Sequence, residues 1–315
     1  MRYIHEIREG ENVRDVYFCK QFQELKTKNG KPYYSVLLQD KTGTLDAKVW
    51  DIGSGIEDFD AKDYIQVEGL VTSFQGSLQL SIRRLRKASE GEYDVADYMP
   101  VSDKSTEDMF KEFMRILGKV KNPYLAKLLN MFFVEDKELV NRFKSASAAK
   151  AVHHAFVGGL LEHMLGVLKL CDVYSDMYSI LNKDLLLTAA ALHDIGKIVE
   201  ISAFPENDYT DEGNLLGHIF IGAEKIGECV KQIDGFPRVL ENELKHCILA
   251  HHGELEYGSP KKPALAEAFA LYFADNLDAK METIKEIFNN APLEKGWLGY
   301  QKLFESNIRK TSVDN

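Results

Sequence analysis

Two periods divide the chain. Over residues 1–90, apolar and polar positions alternate in short runs; beyond about residue 105, apolar residues recur at helical spacing. The alternating part predicts five strands, over 13–26, 33–39, 44–50, 64–74 and 77–86. Tight turns separate several of them: Lys28-Asn29-Gly30-Lys31-Pro32 with Asn-Gly at its centre, Asp40-Lys41-Thr42-Gly43, and Gln75-Gly76. Residues 88–104 are polar and broken by Gly91 and Pro100, the composition of a linker. Helices are predicted over 106–120, from Asn122-Pro123 onward, and over 136–144, 156–173, 184–195, 216–233, 241–252 and 264–288. Asn122 reads as an N-cap with Pro123 in the first helical position. Gly196 and Gly253 stand where helix C-terminal caps are expected.

This order of elements predicts a multidomain α+β chain. A small barrel of the OB type is expected over 1–90, a linker over 91–104 and an all-α domain over 105–315. A length of 315 residues also favours two domains. No apolar run is long enough to span a bilayer and no secretory h-region opens the chain, so a cytoplasmic protein without a membrane partner is expected. Cys19, Cys171, Cys229 and Cys247 form no CxxC pair, which argues against a zinc ribbon or a disulfide framework. The net charge of −10 speaks against a polyanionic partner until its distribution is considered. Residues 1–90 hold 14 Lys+Arg against 14 Asp+Glu, and the rest holds 25 against 35. Nucleic-acid binding by the barrel would therefore rest on local patches and stacking.

Candidate chemistry concentrates in the helical part. His193 and Asp194 adjoin in an apolar run that continues as Ile195-Gly196-Lys197. His163 lies upstream, and His218, His251-His252 and Asp275 follow. These seven fall on segments that read as helices, and most interrupt apolar stretches, where an unpaired polar group is costly. Imidazole with carboxylate is a donor set for divalent transition ions, and ligands from different helices can meet in a bundle core. Taken singly, each histidine is more often a hydrogen-bonded core residue than a ligand.

The order H…HD…H…HH…D resembles the HD superfamily of metal-dependent phosphohydrolases, over about residues 150–290. The resemblance implies that His163, His193, Asp194 and Asp275 bind one metal ion. Asp194 would bridge to a second ion held by His218, His251 and His252. Two such ions lower the pKa of a bridging water, so the expected nucleophile is hydroxide, with Asp194 and Lys197 as catalytic residues. Two readings stand for Lys197: a cation near the scissile phosphate, or a helix C-terminal lysine complementing the dipole. His154 is a weaker candidate for substrate phosphate, with a structural role as its alternative. Glu162 is expected to face solvent or to support a ligand.

In the barrel, candidate substrate contacts are Tyr34, Trp50, Arg83, Arg84 and Arg86, with a solvated strand end as the alternative for the arginines. A strand-rich start, a linker and the element HHAFVGGLLEHML at 153–165 together resemble the YhaM-type 3′-to-5′ exoribonucleases, over nearly the whole chain. That resemblance implies hydrolysis of single-stranded RNA or DNA to nucleoside 5′-monophosphates with two divalent ions, Mn²⁺ first and Fe, Co²⁺ or Mg²⁺ as substitutes. Homo-oligomerisation is left open. A phosphohydrolase of a small nucleotide, such as a cyclic dinucleotide, is the alternative enzyme. A binding module with a purely structural helical half is the alternative outside enzymes.

Overall fold

The computed structural model describes residues 1–53, 55–74, 76–99, 104–150, 156–289 and 296–312. The chain divides into two compact units, 1–103 with 202–208 and 104–201 with 209–315.

In the first unit, five strands form a closed barrel: β1 (Asn12–Lys26), β2 (Pro32–Asp40), β3 (Gly43–Val49), β4 (Tyr64–Phe74) and β5 (Ser77–Lys87). The order around the barrel is β1-β2-β3-β5-β4, antiparallel except for the β3–β5 pair. This is the five-stranded OB-type barrel expected from the alternation. Parity decides what fills it. Val36 and Leu38 of β2 and Leu45, Ala47 and Val49 of β3 point inward, with Val67, Val71, Leu80 and Ile82 from β4 and β5.

One run breaks the alternation. Val16, Tyr17, Phe18 and Cys19 are all buried, because β1 is covered on both faces there. Tyr17 and Cys19 enter the barrel, while Val16 and Phe18 pack outside it against Tyr98. Tyr98 ends a 3₁₀ turn, Val95–Tyr98, within the stretch expected as linker. Its hydroxyl donates to the Val16 carbonyl at 3.1 Å, and Gln39 donates to its carbonyl at 3.3 Å. That part of the stretch packs on the barrel.

The second unit is helical: α1 (Thr106–Leu117), α2 (Pro123–Asn130), α3 (Lys137–Ser145), α4 (Gly159–Met177), α5 (Lys183–Leu192), α6 (Lys197–Glu200), α7 (Asp211–Lys231), α8 (Arg238–Leu249) and α9 (Ala266–Asn289). Asn122 caps α2 as expected, its side chain accepting from the Tyr124 and Leu125 amides. Ser105, Asp136, Asn182 and Thr210 cap α1, α3, α5 and α7 the same way. α4 is the central element and packs on α1, α3, α5 and α9. Leu160, Leu161, Met164, Val167, Leu168 and Cys171 bury its faces, and α5 is buried over its whole length from Leu185 to Leu192. A two-stranded hairpin, β6 (Trp297–Gln301) with β7 (Ser306–Arg309), follows α9, so this unit is not purely α. Among the described residues no helix is long and apolar enough to cross a membrane, and all four cysteines are free thiols.

Candidate metal centre

Helix ends, more than helix faces, build this site. Only His163 (α4), His218 (α7) and Asp275 (α9) lie within helices. His193 caps the end of α5, Asp194 lies in the turn to α6, and His251-His252 follow the end of α8. The expectation that all seven sit on helices is corrected on geometric grounds. Neighbouring residues on a helix diverge by about 100°, so two adjacent ligands reach one point more readily from a turn.

The seven converge. The ligand atoms of His163, His193 and Asp275 lie within 4.8 Å of one another, and so do those of His218, His251 and His252. Asp194 stands between the two triplets. Its Oδ2 is 3.4 Å from His163 Nε2 and 3.5 Å from His193 Nε2. Its Oδ1 is 3.4 Å from His218 Nε2 and 3.5 Å from His251 Nε2.

Each of the five imidazoles is tethered through Nδ1. His193 bonds the Ala190 carbonyl at 2.9 Å, His251 that of Ile248 at 2.6 Å, and His252 that of Tyr257 at 2.8 Å. A carbonyl only accepts, so Nδ1 carries the proton and Nε2 keeps its lone pair in the neutral ring. His163 and His218 are held by carboxylates instead, Asp278 Oδ2 at 2.8 Å and Glu200 Oε1 at 2.9 Å. The residues fit a metal by a second observation: Asp194 Oδ1, His218 Nε2 and His251 Nε2 are buried and make no hydrogen bond. Buried polar atoms in native proteins almost always have partners, and a cation would satisfy all three.

Burial and neighbouring charges pull these groups in opposite directions. Burial acts to raise Asp194, but Lys197 and the surrounding imidazoles outweigh it and hold the carboxyl well below its usual range. Asp275 is lowered likewise, chiefly by His163 against the cost of burial. His163 loses basicity to burial yet is lifted well above the ordinary histidine value by Asp194, Asp275 and Asp278. His251 and His252 are lowered, burial being the main cause. Lys197 Nζ lies 2.8 Å from Asp194 Oδ2; burial depresses it, but Asp194 more than compensates. Lys197 is the first residue of α6, a single turn of four residues. Gly196 is not a C-terminal cap: its backbone is right-handed, and a Cβ there would meet the His218 carbonyl oxygen at 2.1 Å.

A cleft of about 410 Å³ opens on His163, Asp194, His252 and Asp275, lined also by Lys197, Tyr257, Tyr272, Asn276, Lys280 and Leu303. Residues 160–280 match the family model described as HD domain. All seven candidate ligands and Lys197 fall within that range. Two of the solved structures to which the chain is also similar contain OB-type or replication protein A chains. One is the second OB-fold domain of replication protein A from Methanococcus maripaludis, at 19% identity and a TM-score of 0.22, covering 29% of this chain and 96% of that one. The other is a replication protein A heterotrimer bound to ssDNA, at 18% identity and a TM-score of 0.22, covering 28% of this chain and 65% of that one.

Sequence reasoning missed Asp278 and Glu200, the carboxylates that orient His163 and His218. The available signal was spacing: Asp278 is one turn beyond Asp275, and Glu200 is three residues beyond Lys197. Glu162 does not face solvent; it is buried and paired with Lys104 at 2.6 Å. His154 lies outside the described residues.

Of the two barrel aromatics singled out, Trp50 is exposed and Tyr34 faces the barrel interior. Tyr34 shares parity with the buried Val36 and Leu38, and its ring packs edge-on against Phe22 and Phe59. Tyr33 takes the outer face and stacks on the exposed Trp50, with ring centroids 4.9 Å apart. Arg83 and Arg84 are exposed. Arg86 is engaged by Glu92 in a two-pronged pair at 2.6 and 2.7 Å.

Proposed function

We propose that this chain is a metal-dependent phosphodiesterase that shortens single-stranded RNA, and DNA, from the 3′ end and releases nucleoside 5′-monophosphates. The observation that carries the reading is Asp194, which turns one oxygen to each ligand triplet. A carboxylate placed so could be shared by two ions, one in each triplet. Two divalent ions, Mn²⁺ the expected species, would polarise the phosphate and make a water nucleophilic near neutral pH. His163, His193 and Asp275 would hold one of them, and His218, His251 and His252 the other. Asp278 and Glu200 keep His163 and His218 aimed, and Lys197 keeps a cation beside Asp194, where phosphate oxygens gather negative charge.

The barrel favours a polymer substrate. Stacked Tyr33 and Trp50, with exposed Arg83 and Arg84 elsewhere on its surface, are the kind of groups by which such barrels hold an unpaired strand. The size of the cleft favours a second reading, a phosphohydrolase of a small nucleotide such as a cyclic dinucleotide, since about 410 Å³ holds a single compact ligand.

End-labelled single-stranded RNA incubated with Mn²⁺ is expected to give a ladder shortening from its 3′ end. Asp194→Asn is expected to abolish that ladder while the strand still binds. Turnover of a cyclic dinucleotide with no shortening of RNA or DNA would transfer the assignment to the second reading.

A further inference from the structure

The β6–β7 hairpin carries an aromatic face that no part of the metal site uses. Register explains how it arises. Trp297 pairs with Arg309 and Tyr300 with Asn307, so three residues of advance on β6 match two on β7. The extra residue is a bulge, and Gly299, at φ 85°, supplies the left-handed backbone it needs. The bulge restores parity: Trp297 and Tyr300, opposite residues two apart on β7, lie on one face with Arg309 and Asn307. Trp297 is 65% exposed and Tyr300 62%. The Arg309 guanidinium lies 5.8 Å from the Trp297 ring centre. A 3₁₀ turn, Lys302–Phe304, forms the hairpin tip, and its Leu303 borders the metal cleft.

Resting on the reading of a polymer substrate, we infer that this hairpin is a further contact for single-stranded nucleic acid, with Trp297 and Tyr300 as base-stacking platforms leading to the cleft. Charge selects this occupant. Residues 296–312 hold Lys302, Arg309 and Lys310 against Glu305 alone, a basic island in a chain of net charge −10. Two copies of the face would bring like charges together, whereas a phosphate backbone is complementary to it. Exposed rings with a flanking arginine are sequence-tolerant stacking sites, and Leu303 makes the surface continuous with the place of cleavage.

The chain has two tryptophans, Trp50 and Trp297. In Trp50→Phe the sole indole is Trp297, and the replacement ring still covers Tyr33. Oligouridylate titrated into this variant with a chelator present, so that nothing is cut, is expected to quench the indole as fluorescence anisotropy of a labelled strand reports binding. In the otherwise native chain, Trp297→Ala with Tyr300→Ala is expected to weaken oligouridylate binding by roughly tenfold or more, and to raise KM for labelled RNA with kcat retained. Bound oligonucleotide without quenching, or unchanged affinity in the double variant, overturns this inference and leaves the proposed activity standing. A double variant that shifts the sedimentation coefficient instead of strand affinity assigns the face to a second copy and also overturns it. Failure of the native chain to bind any single strand overturns both.

Discussion

A histidine becomes a metal ligand by what holds its other nitrogen. Five imidazoles here are fixed through Nδ1, three by backbone carbonyls and two by carboxylates. Gly166 tests one tether. It lies one turn after His163 on α4, and a Cβ there would fall 2.0 Å from Asp278 Oδ1. The relief is a rotation of Asp278 away from His163, not a backbone shift. Gly166→Ala is therefore expected to weaken Mn²⁺ binding by about tenfold, in the range seen when outer hydrogen-bond partners are lost. Calorimetric titration measures this, and an unchanged affinity would count against Asp278 as the residue that aims His163. Asp172 tests the electrostatics away from the site. Burial acts to raise its carboxyl, but Lys119 and Lys183 outweigh that and lower it. A carboxyl lowered on folding adds stability that is full above the unfolded value, about 3.9, and is lost as pH falls through the folded one. The stability difference between the native chain and Asp172→Asn should stay flat above about pH 5 and shrink below about pH 4. A difference that grows on acidification would reverse the sign.

Elements show how much could be read from the sequence. Strand alternation and turn residues carry the barrel, because period and register are local properties. The helices were legible too, but their ends were not: residues 184–195 read as one helix, whereas α5 stops at Leu192 and Asp194 falls in a turn. The apolar run through Ile195 masked that stop, since a buried turn and a buried helix share a composition. Tyr34 was misplaced because two adjacent tyrosines match either parity until Val36 fixes it. Tyr98 was unreadable for another reason: its partner Val16 is 82 residues away. It ties the turn after β5 to the outside of β1, so Tyr98→Ala is expected to lower the stability of the barrel by about 3–5 kcal/mol. Tyr98→Phe, which leaves the Val16 carbonyl without its partner, should cost about 1–3 kcal/mol. Denaturant titration of both variants checks the ranking, and equal losses would mean that the hydroxyl contributes most of the effect.

At the scale of the molecule, the ligands draw on five separate stretches of one unit, while the barrel core shares no residue with them. Binding that gathers α4, the α5–α6 turn, α7, the end of α8 and α9 must stabilise their fold, because the unfolded chain presents no such site. Mn²⁺ at 100 times its dissociation constant is expected to add about 2.7 kcal/mol to the helical unit. Its thermal transition should rise with metal and fall with chelator, while that of the barrel stays in place. The proposed bridge separates two variants. His252 belongs to one triplet, so His252→Ala should lose one ion and keep part of the rise. Asp194 faces both triplets through separate oxygens, so Asp194→Asn should weaken both ions and remove most of it. Elemental analysis of the two dialysed variants gives the stoichiometries directly. If Asp194→Asn retained two tightly held ions, the carboxylate could not be the bridge.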